Sequence, residues 1–544
     1  MLGVFASVAP ASALRAPRGA AAGRVGRVAA SSARVGVSAG RPIPGMGSVL
    51  RTRAVRRMRP ARAAAAGDDD VALPKRVSDV TPAAPEPVVK AAAPVAPVAA
   101  AAPAPVAAAP AAAKPAKGPS KPRLPSLDSL RFFLIAYIAV GHFVGFATSN
   151  VFLLKLMTQV NVWVGAFFVL SGYVAGYTAT ELGKFEASPR VKPAGAYVAA
   201  RVMGYYPLYA LVQTLFGAMF IFADNAYNGP LATAAHAVMG ATLTQAWFPA
   251  HAEIWNAPTW FLSALTFAMA VLPHALPAIA AMRKNALQRC IAALTAFSLL
   301  GKLAYSYDLG AWTLLEGFMA PKLHPNLLLW NVTRFHPFYA AVEVLIGVAA
   351  VRLVMTERVD DDGKALATPP PAPGSALLPL AGLVAVTVAR AAGWLTLNDP
   401  LTRGLLFIPL FTLLIMRLHR HTAAAANGAP GGVAGVLAHP ALTYLGTISF
   451  PIFVVHGALG QVFYKKIIAT KLWGAVMPQS FFPLYCLIVL ASAAALQHLF
   501  LVRTQCAQCN QSVPLLTRRY AFASALAGEQ EGAGAERRCH QEAV

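Results

Sequence analysis

Residues 127–144 read LDSLRFFLIAYIAVGHFV. The run is apolar enough to cross a bilayer, yet it carries Arg131 near its start and His142 eleven residues later. A helix rises ~1.5 Å and turns ~100° per residue, which separates the two groups by about 16 Å and leaves them within ~20° of one face. Arg131 is therefore expected at a membrane boundary, with His142 near the middle of a ~30 Å hydrocarbon core. Asp128, one turn ahead of Arg131, can pair with it or cap the helix N-terminus. A histidine at that depth stays uncharged, because desolvation disfavours the cation, and can accept a proton. Two readings follow: a packing hydrogen bond beside a snorkelling arginine, or a charged mouth above a basic centre.

The rest of the chain puts this helix in a membrane. Of 544 residues, 57% are hydrophobic and 12% charged, with a mean hydropathy of +0.54. A soluble protein of that length needs far more polar residues to cover its surface. The expected fold is an all-α polytopic integral membrane protein of about ten transmembrane helices. Apolar stretches suited to spanning fall near 129–149, 161–181, 197–222, 232–249, 258–280, 286–305, 336–356, 375–397, 400–418 and 442–463, with 480–502 as an eleventh. The stretch 232–249 is the weakest and also reads as an amphipathic or re-entrant segment. No fixed repeat and no paired broken helices are evident, which argues against an inverted-repeat transporter.

The net charge of +24 is concentrated at the N-terminus. Residues 1–67 hold twelve arginines and no acidic residue among Ala, Ser, Val and Gly. That composition is expected of an organelle transit peptide over 1–70, pointing to a plastid (chloroplast) membrane rather than a mitochondrial one. Without interleaved aromatics or a folded module, nucleic acid is not an expected partner. Residues 71–122 form an Ala/Pro-rich spacer expected to be extended and disordered. The apolar domain is placed at 123–503, followed by a polar, disordered tail over 504–544. Cys506 and Cys509 form a lone CxxC in that tail, short of a zinc set, so no metal is expected.

LDSLRFFLIAYIAVGHF closely resembles the first helix of the acyltransferase 3 family, whose hallmark is an Arg and a His with ten residues between them. Further pieces resemble the family in order. They are VWVGAFFVLSGYVAG (162–176), with Phe167, Phe168, Ser171 and Gly172 in its core, and RVMGYYPLY (201–209), with Arg201 and Tyr206. PTWFLSAL (258–265) follows with Trp260, then RFHPFYAAVEVLIG (334–347) with Arg334 and Glu343, and LTYLGTISFPIFVVHG (442–457) with His456. This chain has Gly165 where the family often has an acidic residue, Leu265 where it usually has Glu, and Gly204 where it normally has a second Arg.

The resemblance implies transfer of an acyl group, often acetyl, from acyl-CoA as co-substrate to a hydroxyl of a carbohydrate or lipid acceptor. The residues suit that chemistry. A hydroxyl needs a base within hydrogen-bond reach as it attacks the thioester, and His142 is the candidate. Arg131 and Arg201, with Asp128 beside the first, are candidates for the donor's phosphates, which guanidinium binds bidentately. A carboxylate deep in an apolar helix needs a partner, so Glu343 either orients His142 or forms a structural pair with Arg334 or another group. His456 reads as a packed core histidine. Ser171 reads as a nucleophile or, in its SGY context, as part of a tight helix contact at Gly172. The Trp-rich stretch 247–260 suits a membrane interface or an acceptor entry, and the Asn331 sequon reads as incidental. The rival classes are a secondary transporter with a buried relay and a non-catalytic acyltransferase-like scaffold.

Overall fold

The computed structural model describes residues 121, 123–181, 184–313, 325–359, 366, 374–425 and 430–502. The transit peptide, all of the Ala/Pro spacer but Lys121, and the C-terminal tail with its CxxC lie outside the described residues. The helices are α1 (Pro125–Phe143), α2 (Val151–Met157), α3 (Val160–Ala179), α4 (Ala194–Met203), α5 (Tyr206–Leu215) and α6 (Gly217–Ala241). They continue with α7 (Trp260–Ala281), α8 (Lys284–Asp308), α9 (Leu327–Phe335), α10 (Pro337–Thr356), α11 (Leu377–Ala392) and α12 (Asp399–Ala424). The last five are α13 (Gly432–Leu437), α14 (Pro440–Thr447), α15 (Ser449–Tyr464), α16 (Lys466–Trp473) and α17 (Phe482–Leu496). Among the described residues there is no strand, only an isolated bridge between Thr180 and Ala187.

Local sequence explains many of the helix starts. Proline stands in the first turn of α1, α5, α10, α14 and α17, where its missing N–H is no loss. Asn150 and Asn326 cap α2 and α9 by accepting from Leu153 N and Leu329 N. Residues 402–407 of α12 are wound as a π-helix, a form that concentrates at functional or strained places.

Among the described residues seven helical stretches are long and apolar enough to cross a membrane, or nine if each of two bent pairs counts as one span. The α11 stretch, read as a span from 375 to 397, is a shorter apolar helix. The run 197–222 is not one span. It breaks at Gly204 and again at Phe216, and α6 then continues through most of 232–249. Pro207 opens α5, and α5 and α6 meet at 66°. The α14–α15 pair bends by 53°, so broken helices do occur in this chain, although its sequence shows no obvious pair.

The core is centred on α10. In the α9–α10 span 83% of the apolar window is buried within the protein, against 17% for the span ending at Leu501. A helix apolar all round belongs at a bundle's centre when its neighbours cover it. Contact between α3 and α10 depends on glycine: a Cβ at Gly172 would overlap the Val344 carbonyl, and one at Gly347 the Val169 carbonyl. Small residues let two backbones approach closely where apolar packing alone gives little drive in lipid.

Candidate active site

The bundle encloses a cavity of about 1710 Å³. Arg131, His142, Phe167, Ser171, Arg201, Trp260 and Arg334 all line it. These residues come from five helices, α1, α3, α4, α7 and α9. The 247–260 stretch contributes Pro249, His251, Glu253, Trp255 and Pro258 to the same lining.

His142 sits in the last turn of α1, which ends at Phe143, rather than half-way along the helix. Its ring is open to the cavity instead of sealed in a packed core. Nδ1 of His142 lies 3.1 Å from Nε2 of His456, with the rings stacked 5.3 Å apart. Nδ1 of His456 lies 3.0 Å from the Ile452 carbonyl. A carbonyl only accepts, so His456 carries its proton on Nδ1 and offers a bare Nε2. His142 must then donate from Nδ1, which leaves its own Nε2 as a free lone pair. The hydrogen-bond pattern thus prepares His142 as a proton acceptor. His456, fully buried, is the group that orients it.

Glu343 does not orient His142. Its carboxylate is fully buried on α10, with Oε1 3.3 Å from Lys302 Nζ of α8 and Oε2 bonded to Arg403 of α12. Nor does it pair with Arg334, whose Nη2 lies 3.4 Å from Glu253 and whose Nη1 donates to Asn331 at 3.2 Å. The physical reason is direction: Glu343 faces two cations across a helix interface and is not among the cavity residues. Two bases meeting one carboxylate satisfy a charge that is costly to bury alone. The Arg403 side chain lies over Gly165, where a Cβ would come within 2.7 Å of its Nε. That Nε is buried without a hydrogen-bond partner.

Arg131 borders two cavities. The second, of about 570 Å³, is lined by Lys121, Arg123 and Arg190 as well as Asp128 and Glu181. Asp128 does not cap α1; it stands 3.7 Å from Arg131 and 3.6 Å from Arg123. Lys121 donates to the Tyr177 carbonyl at 2.6 Å, and burial lowers its pKa against the opposing pull of Glu181. Arg201 reaches from the large cavity to Thr178 Oγ1 at 2.9 Å, and Thr178 lines the small one.

The remaining candidates are placed as follows. Phe168 is fully buried and stacks on Phe261 at 4.4 Å, outside the lining. Tyr206 donates to the Ala241 carbonyl at 2.8 Å, and its neighbour Tyr205 is the one that borders the cavity. Trp260 packs edge-on to Phe335 at 4.8 Å. Asn331 is buried at the lining and donates to the Pro249 carbonyl, so its sequon is not displayed for glycosylation.

Sequence reading missed a further group: Asp224 and His236 of α6 with His251 of the following loop. They are joined at 2.8 Å and 2.9 Å, and all three border the cavity. In a straight helix twelve residues place Asp224 and His236 ~120° apart. Gly229, at φ 79° ahead of Pro230, breaks the helix between them and brings them together. The Asn228-Gly-Pro triplet was the available signal. Among the described residues no three His, Cys, Asp or Glu converge as metal ligands.

An all-helical bundle with membrane-length spans, enclosing a cavity edged by a base and cations, defines an integral membrane protein built around an internal site. The acyltransferase-domain family model matches residues 124–498, well over half of the chain, so the chain belongs to the acyltransferase 3 family. It is a membrane acyltransferase. No curated protein and no solved structure matches it.

Proposed function

We propose that the protein moves an acyl group, acetyl in the simplest case, from acyl-CoA to a hydroxyl of a carbohydrate or lipid acceptor, with His142 as general base. The observation that supports this reading is the hydrogen-bond order Ile452 carbonyl, His456, His142, which leaves a lone pair open to the cavity. The acceptor hydroxyl gives its proton to His142 Nε2 as its oxygen attacks the thioester carbonyl. The C–O bond forms, the C–S bond breaks, and the proton passes to the departing thiolate. The donor's phosphates lie in the small cavity against Arg131, Arg123 and Arg190, and its thioester arm passes Arg131 into the large one. Arg201, bonded to Thr178, stands at the junction.

The test incubates membranes carrying the protein with radiolabelled acetyl-CoA and glycans, glycolipids or sterols. Wild type transfers label and His142→Ala does not; identical labelling by the two removes His142 as base. The Arg-rich, acid-free stretch 1–67 supports a plastid membrane as the location. Residues 1–70 fused to a fluorescent protein direct it to plastids on this reading, and a diffuse cytoplasmic signal refutes it.

A further inference from the structure

The Asp224–His236–His251 chain has the same logic as the His142 pair but begins on a carboxylate instead of a backbone carbonyl. Asp224 receives three donors: His236 Nδ1 at 2.8 Å, Asn228 Nδ2 at 2.7 Å and Trp255 Nε1 at 3.0 Å. A carboxylate accepts, so His236 carries its proton on Nδ1 and presents a bare Nε2 to His251 Nδ1. His251 donates there and is left with an Nε2 lone pair. Asp224 and His236 are buried, at 9% and 4% exposure, whereas the His251 ring is open to the cavity. A purely structural chain has no need to end on an open ring.

The loop carrying His251 is also tightly fixed. Trp255 adopts φ 52°, a left-handed conformation unusual for a bulky residue. It is held there by its indole bond to Asp224 and by Gln461, which donates to its carbonyl at 2.6 Å. Such strain persists where the surroundings over-determine it, and it gathers at functional sites. The next residue, Asn256, donates to the Val454 carbonyl at 2.8 Å, two residues before His456. One loop therefore braces both imidazole chains.

We propose that His251 is the acceptor-binding residue of the cavity: its Nε2 accepts a hydrogen bond from an acceptor hydroxyl, and His236 and Asp224 are positioning residues that fix its tautomer. This deepens the acyl-transfer reading and rests on it for the reaction, though not for the binding. Burial and the neighbouring His236 hold the His251 pKa below its ordinary 6.5, against the pull of Asp224, which keeps the lone pair available at pH 7. Asn228, Glu253 and Asn331 also line the cavity. An acceptor with several hydroxyls satisfies more of these groups than one with a single hydroxyl, and buried polar groups left unpaired are costly.

The experiment has two arms on the full-length protein in lipid nanodiscs. In the first, ¹⁵N-histidine spectra, with His251 assigned by difference against His251→Ala, report its tautomer while methyl β-D-glucoside is added without acyl donor. A protonated Nδ1, a bare Nε2 and a glucoside-dependent shift of Nε2 are expected; the opposite tautomer, or no shift, overturns the proposal. In the second arm, acetyl transfer from acetyl-CoA to octyl β-D-glucoside is timed. His251→Ala raises the acceptor KM about tenfold, the loss of one hydrogen bond, while the donor KM holds; His251→Gln, which keeps an acceptor oxygen, recovers part of it. An unchanged acceptor KM in His251→Ala overturns the proposal and leaves acyl transfer standing. Absence of all transfer in wild type, with the glucoside shift intact, overturns the acyl-transfer reading and leaves the binding role standing.

Discussion

Two sets of ionisable groups lie inside this bundle and end differently. The Lys302–Glu343–Arg403 set is closed: every member is at most 5% exposed at its side chain, and Glu343 is shared by both cations. The two histidine chains are open: each begins on a buried acceptor, Ile452 or Asp224, and ends on an imidazole facing the cavity. A buried charge in a membrane helix is thus no sufficient mark of chemistry. What separates the two kinds is whether the chain of hydrogen bonds finishes on protein or on space that a substrate can enter.

The sharpest way to break this contrast is at His142. His142→Ala is expected to slow acetyl transfer by about 10²–10⁴-fold without lowering the thermal midpoint of the purified protein; a matching fall in stability would place His142 with the closed set. Glu343→Ala should behave in the opposite way. It leaves Lys302 and Arg403 buried without their carboxylate and costs about 3–5 kcal/mol of stability, read as a lost folded yield or a lowered midpoint. The fraction that folds transfers at the wild-type rate per molecule, and a rate defect in that fraction would return Glu343 to the reaction. Gly165→Ala crowds the Arg403 side chain and costs about 1–3 kcal/mol, measured by the same melt; a neutral result would mean that Arg403 moves freely. Arg131→Ala raises the donor KM about tenfold, as expected for one lost charge-assisted contact, and leaves the acceptor KM alone. The smallest effect is in pH. His251 protonates below the ordinary 6.5, so binding of octyl β-D-glucoside should stay level from pH 8 through 6.5 and weaken only under more acid conditions. Protonation fills the lone pair, which gives the loss its direction on the acid side. His236 and Asp224 are the titratable groups joined to His251, Glu253 and Lys465 border the same cavity, and weakening that begins above pH 7 would contradict the assignment.

Much of the fold was legible because a membrane imposes it. Long apolar runs at 258–280, 286–305 and 480–502 became helices with nearly those bounds, since lipid leaves the backbone few alternatives. Arg131 and His142 share a cavity, as their helical spacing requires. The partner of Glu343 was not legible, because side-chain direction in an all-apolar helix carries no periodic signal. Lys302, 41 residues earlier, and Arg403, 60 residues later, each stood in an apolar run where a lone cation needs a carboxylate. His456 looked like core because burial alone does not reveal a ring neighbour 314 residues away. The Asp224 chain depends on a helix break, and helical arithmetic fails where the helix does.

The closed cluster also bears on how the protein is made. Lys302, Glu343 and Arg403 belong to three different spans, α8, α10 and α12. On the translocon scale each such charge costs about 2.5–3.5 kcal/mol at the centre of an isolated helix. The α8 span is compensated only when α10 packs beside it, and Glu343 meets both cations only when α12 brings Arg403. The three spans therefore need one another in the membrane, and a chain truncated before residue 403 lacks the second cation of its ionic centre.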